Sequence, residues 1–188
     1  MLDRTLLKEI ERHLEEFFDG HSVEYFSWER GPIQAVLPEF RVACFAPGPK
    51  SSLWNYASVG AAFASTATSE KLEFVLSCPY ETPRAVELLA MFAHRQTFDP
   101  LGCRHLMPLG EPWLEDSACD AVLVSLPYPF GPDLEVCRLD SGIVRFLWLL
   151  PITTAEREFC KQNGVELLEQ KFDECRLRYW EVDRASVV

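Results

Sequence analysis

No stretch of this 188-residue sequence approaches the ~20 consecutive apolar residues that a membrane-spanning helix needs. The N-terminus, Met1-Leu2-Asp3-Arg4-Thr5, opens into a charged helix and lacks the basic-then-apolar pattern of a secretory signal. Together these absences predict a cytoplasmic chain with no membrane partner. Basic residues are also scarce: 18 Lys and Arg stand against 29 Asp and Glu, for a net charge of −11. Most of the excess lies late, where residues 106–174 hold 13 acidic and 5 basic side chains. Such a surface repels nucleic-acid phosphates, so no nucleic-acid partner is expected. It would attract a basic protein, although the same acidity also serves simply to keep a chain in solution.

Catalytic signatures are missing as well. The sequence has no Gly-x-Ser-x-Gly elbow, no His-Glu-x-x-His, no glycine-rich phosphate loop and no dinucleotide fingerprint, and no cofactor is expected. The seven cysteines are widely spaced, odd in number and contain no Cys-x-x-Cys. That pattern predicts reduced thiols, many of them buried as small hydrophobes, over a disulfide framework. His94, Cys103 and His105 are the nearest thing to a ligand cluster, yet no pair has the spacing of a structural zinc site. A Cys103–His105 couple works only in a turn, since residues two apart point to opposite sides of an extended segment. His105 is therefore read as ordering its loop or as part of a recognition surface. An enzyme or metal protein built around His94, Cys103 and His105 stands as the alternative.

What the chain has is apolar and aromatic mass, 48% and 12% of its residues, enough for a sizeable core in one domain. Leu2, Leu6, Leu7, Ile10, Leu14, Phe17 and Phe18 recur at helical spacing, with Asp3 placed to cap the start and Gly20 to end it. Strands are predicted at 23–28, 40–46, from 52 into a turn around Gly60, 71–78 and 119–126, with a turn at Gly31-Pro32. Thr82 and Pro83 open a helix that runs to about Gln96. Residues 98–118 show no clear periodicity and read as a long loop, of the kind that often carries function. Pro127 to Pro132 is a rigid connector.

The centre of the chain is Leu134–Glu174. A short strand with Leu134, Val136 and Leu139 turns at Asp140-Ser141-Gly142 into Ile143–Leu150, which is apolar at both parities and so reads as a covered central strand. Pro151 should end it, since proline gives no N–H to a ladder. Thr153 and Glu156 have capping-box spacing, Gly164 reads as a helix stop or kink, and Val165, Leu168 and Phe172 continue an apolar stripe. Residues 176–180 are read as a strand or a packed arm. Strands with helices at the start, middle and end predict an α+β fold: a single domain with a central mixed β-sheet flanked by helices. Its parts are residues 1–29 as an N-terminal helix and strand, 30–175 as the body and 176–188 as a tail.

These motifs resemble a known family. Val144, Phe146, Leu147, Leu149, Leu150 and Pro151 after the turn glycine, then Thr153 and Glu156, then Gly164-Val165-Glu166-Leu167-Leu168-Glu169 with Phe172, are similar to the C-terminal part of the suppressor of fused domain. Ser52–Gly60, Glu73–Leu76 and Leu101–Trp113 with His105, Pro108, Gly110 and Pro112 follow the same family's order, so that the resemblance spans roughly residues 30–175. It implies a non-enzymatic binding domain. The animal member is a negative regulator of Hedgehog signalling that grips a transcription-factor peptide with the help of a second region, which has no counterpart here. Stand-alone bacterial members are associated with toxin systems as immunity proteins. The implied partner is a protein, with a basic toxin domain suited to the charge, and the implied state is a monomer or homodimer; a homodimeric structural module is a further alternative. Aromatic residues supply the candidate contacts. His105, Glu111, Trp113 and Tyr128 are the predicted partner-binding residues, with Trp113 expected at a surface or else pinning its loop to the core.

Overall fold

The computed structural model describes residues 4–64 and 70–188. In chain order the elements are α1 (Arg4–Phe17), β1 (Val23–Ser27), α2 (Pro32–Val36), β2 (Arg41–Phe45), β3 (Trp54–Val59) and a 3-10 turn at Ala61–Ala64. There follow β4 (Lys71–Cys78), α3 (Pro83–Gln96), β5 (Leu106–Pro108), β6 (Cys119–Ser125), α4 (Pro132–Glu135), β7 (Val136–Leu139), β8 (Gly142–Thr153), α5 (Thr154–Asn163) and α6 (Val165–Glu174). The class is the expected α+β, with a mixed sheet: β4 pairs parallel with β8, and the other pairs described below are antiparallel. Two compact units divide the chain, residues 1–102 with 126–148 and residues 103–125 with 149–188.

The first unit holds the strand order β1-β2-β3-β4-β8, with β7 on the far side of β8. At Val144 the apolar strand lies between Lys71 of β4 and Cys137 of β7, so its backbone is engaged on both sides. Every residue of β3 from Asn55 to Val59 is buried, and both α1 and α3 pack on that strand. The α1 stripe goes inward as its spacing requires: Leu6, Leu7, Ile10, Leu14, Phe17 and Phe18 are all buried. Asp3 and Leu2 lie outside the described residues. Thr82 caps α3 by accepting from Arg84 N at 3.2 Å, with Pro83 at the first position. At Gly31-Pro32 the sequence suggested only a turn; the proline instead starts the single-turn helix α2, a position where its missing N–H is not needed.

The second unit contains the end of β8, β6, β5, α5, α6 and the tail. Two features here depart from expectation, and the tail takes one of the two forms expected of it. Pro151 does not end β8, which continues to Thr153; a strand tolerates proline where its absent N–H is not required, and the Pro151 carbonyl accepts from Arg184 at 3.0 Å. The aperiodic stretch before Cys119 is stitched to β6 by Leu106 opposite Leu123, Met107 opposite Val122 and Pro108 opposite Ala121. The tail forms no strand and packs as an arm, returning Arg184 to a buried position. Thr153 and Glu156 do form the reciprocal capping box, Glu156 N donating to Thr153 Oγ1 at 3.2 Å and Thr153 N to Glu156 Oε2 at 2.9 Å.

Candidate partner-binding surface

Buried titratable groups are where chemistry would be sought first, and here they hold the chain together. Glu73 of β4 is fully buried. Its carboxylate accepts from Ser58 Oγ at 2.5 Å and from the backbone N–H of Gly60, Ala61 and Ala62 at 2.8, 3.1 and 3.1 Å. Ser58 Oγ in turn accepts from Phe74 N at 2.7 Å, so its single proton is directed at Glu73. Burial pushes the Glu73 pKa up, against the opposing pull of Ser58 and the three backbone donors. The result is a carboxylate that anchors the Gly60–Ala64 turn and leaves no face for a substrate.

In the second unit Glu156, also fully buried, makes a two-pronged pair with Arg184: Nη1 to Oε1 and Nη2 to Oε2, both at 2.7 Å. Val187 N adds a donor to Oε1 at 3.1 Å, and Arg184 also donates to the carbonyls of Pro151 and Ala185. One carboxylate thus caps α5 and fastens the tail. Desolvation lowers the Arg184 pKa, but the hydrogen bonds to Glu156 outweigh it and the net direction is up.

Thiols follow the same rule. Cys44, Cys78, Cys119, Cys137 and Cys160 are buried, and none of the seven cysteines is in a disulfide. Burial pushes Cys44 up to about 11 and Cys137 up to about 12, so neither forms a nucleophilic thiolate near neutrality. A thiol reagent at neutral pH is therefore expected to label exposed Cys175 first and half-buried Cys103 next. The other five should react only after denaturant is added, which mass spectrometry of the alkylated native protein would check. Among the described residues no three His, Cys, Asp or Glu side chains gather as a metal site. A pocket between Leu37–Phe40 and Gly60 has a volume of about 80 Å³, well below the ~300 Å³ at which small-molecule sites begin.

The predicted partner-binding residues are divided between the two units. His105 is exposed just before β5, and its carbonyl accepts from Val124 N at 2.8 Å, which fixes the loop to β6. Glu111 is exposed in the same unit. Trp113, expected at a surface or else pinning its loop to the core, takes the second place and is 1% exposed. Its indole N–H donates to Ser117 Oγ at 2.9 Å and its backbone N to Cys119 O at 2.9 Å, so it pins the loop. Tyr128 belongs to the first unit and is 61% exposed. It rides on the connector whose Phe130 stands edge-on to Phe17 and Phe18, at 5.8 and 5.7 Å between ring centroids. Phe18 stacks on Phe45, and Lys50 lies 4.3 Å from the Phe17 ring centre, so the tyrosine sits beside a rigid aromatic base. His21 holds the neighbouring turn, donating to Ala46 O at 2.6 Å and accepting from Lys50 N at 3.0 Å.

A second exposed region was not singled out by the sequence. Among the described residues β1 ends the strand order of the first unit, with Val23, Glu24 and Ser27 exposed and Tyr25 and Phe26 half-buried. Tyr25 Oη donates to Glu15 Oε1 at 2.7 Å, and Arg41 of β2 pairs with Glu11 at 2.5 Å while lying over the tyrosine ring. Burial, then the Glu15 contact, raises the Tyr25 pKa. Exposed Phe98, Met91, Ile143, Val36 and Tyr80 complete the large hydrophobic side chains left in solvent among the described residues of this unit.

Comparison with known proteins agrees in family and fold. A family model described as suppressor of fused protein matches residues 37–185. A crystal structure of a Neisseria gonorrhoeae FA 1090 protein assigned as a suppressor of fused homologue shares 37% identity over 97% of each chain, with a TM-score of 0.87. The crystal structure of the Sufu–Fu complex matches at a TM-score of 0.74 and 14% identity, over 97% of this chain and 92% of that one. Drosophila Suppressor of Fused matches at 0.62 and 13%, over 97% of this chain and 51% of that one. The last two establish likeness of fold alone. No curated sequence matches the chain.

Proposed function

Since this chain belongs to the suppressor of fused family, we propose that it is a non-enzymatic protein-binding domain, an immunity protein of the cytoplasm that binds and neutralises a cognate toxin. The observation that carries this reading is where the chemistry went. Glu73, Glu156, Arg184 and five thiols are buried in contacts that hold the chain, while carboxylates and single large apolar side chains face solvent. A protein with its reactive groups sealed and its surface acidic has recognition to offer and little catalysis. The solved Sufu–Fu complex, a protein bound to a protein, supports the same class of activity. The net charge of −11 favours a basic partner, the sign that many nucleic-acid-cleaving toxins carry. Tyr128 on its aromatic base would supply contacts from the first unit, and exposed His105 and Glu111 would supply others from the second, where Trp113 holds their loop in place.

The test is binding of the purified chain to the purified products of neighbouring genes, at low and high salt, followed by assay of any toxic activity in the bound product. One basic product should be retained at low salt, weakened by high salt and inactivated in the complex. Retention of none of them, together with stoichiometric metal in the purified chain, would overturn the reading.

A further inference from the structure

We infer that the free edge of β1 is a docking strip for an extended, basic segment of a partner protein, which adds to the sheet as one more strand. This inference rests on the protein-binding reading and specifies the partner's chemistry. An edge strand presents alternate N–H and C=O groups outward, a ready template for another backbone. The Tyr25 hydroxyl reaches Glu15 of α1, so Val23, Tyr25 and Ser27 face that helix, while Glu24 and Phe26 face the other way. Carboxylates border both faces. Glu11 and Glu15 lie on the α1 side; on the other, Glu24 stands opposite Cys44 in the β1–β2 ladder and Glu81 acts on the same thiol. Arg41, a cation of the neighbouring strand, is already committed to Glu11.

Charge selects the occupant. A second copy would bring its own Glu24 into the shared ladder and add a second set of the flanking carboxylates, and like charges oppose such pairing. A segment with lysine or arginine at alternate positions matches the carboxylates on whichever face its side chains reach, and its backbone completes the edge.

The probe is an acetylated peptide of alternating lysine and valine, long enough to span the five residues of β1. It is compared with a peptide of equal charge whose valines are replaced by proline, which cannot donate to a ladder. Binding of each to the full chain is followed by titration, and the site is located by hydrogen exchange. The lysine–valine peptide should slow exchange across residues 23–27. The proline peptide should bind about tenfold or more weakly, and so should the lysine–valine peptide to the Glu24→Lys/Glu81→Lys double variant. Both substituted residues are exposed, so the variant should fold, which circular dichroism checks. Equal binding of the two peptides, protection elsewhere, or no binding at all would overturn the inference and leave the carboxylates as guards against edge-to-edge association. The two readings fail separately. A cognate partner that binds wild type and double variant alike removes this surface and keeps the protein-binding function. Strand addition by the peptide without any partner among the neighbouring products does the reverse.

Discussion

Replacing Arg184 with methionine is expected to cost about 3–5 kcal/mol, the range seen when one half of a buried ion pair is removed. In a chain of 188 residues that corresponds to a fall of roughly 10 °C in the unfolding midpoint. The reason lies with the residue left behind. Glu156 has no exposed surface, and without the guanidinium it keeps only the Thr153 and Val187 backbone donors. The double variant Glu156→Gln/Arg184→Met should recover much of the loss, because an amide can stay buried without a counter-charge. Thermal melts of the two variants check both statements. A single variant within about 1 kcal/mol of wild type would mean that the pair is solvated, as surface pairs are. Limited proteolysis supplies a second readout: cleavage after residue 175 should speed up in Arg184→Met as the arm loosens.

Glu73→Ala should be nearly as damaging, at about 2–4 kcal/mol. Truncation returns the cost of burying a carboxylate, but it strands the Ser58 hydroxyl and three backbone N–H groups, each worth about 1–3 kcal/mol when left without an acceptor. The stranded donors outnumber the gain. Glu73 also carries a pH signature of unusual sign. Its folded pKa is raised above the ordinary 4.5, so between that value and the raised one the native state binds more protons than the unfolded chain. Stability contributed by Glu73 is then complete below about 4.5 and declines as the pH rises through the folded value. The unfolding free energy of wild type minus that of Glu73→Gln, followed upward from pH 4.5, should fall. A difference that grew with pH would mean the four donors prevail over burial.

Local signals were legible wherever one short stretch carried its own physics. The α1 stripe, the Thr82–Pro83 start, the Thr153–Glu156 box and the Gly142 turn are each decided within a few residues, and all form as read. What the sequence left unread depends on partners far away in the chain. β5 is three residues long and exists because β6 accepts it, and Arg184 is buried because Glu156 waits 28 positions earlier. Trp113 pointed outward by its company of Glu111 and Pro112, yet Ser117 offered its indole a partner in the core. Glu73 did leave a trace, an acid set among Leu72, Phe74, Val75 and Leu76 in a strand, which asks for a donor cage. The β1 edge left none, because whether a strand lies inside or at the border of a sheet is a property of the whole pairing order.

The interleaving of the two units bears on how this protein is made. The ribosome releases residues 1–102 first, but their sheet needs the parallel partner for β4, which arrives only with residues 142–148, after 103–125 have emerged. Closing so long a loop is entropically costly and makes the parallel pairing a late event in folding. Until then one edge of β4 leaves its backbone N–H and C=O groups unpaired, an aggregation-prone interval that a chaperone could shield. A nascent chain stalled near residue 110 should therefore be protease-sensitive, and one stalled with residue 148 well clear of the exit tunnel should be protected in its first unit.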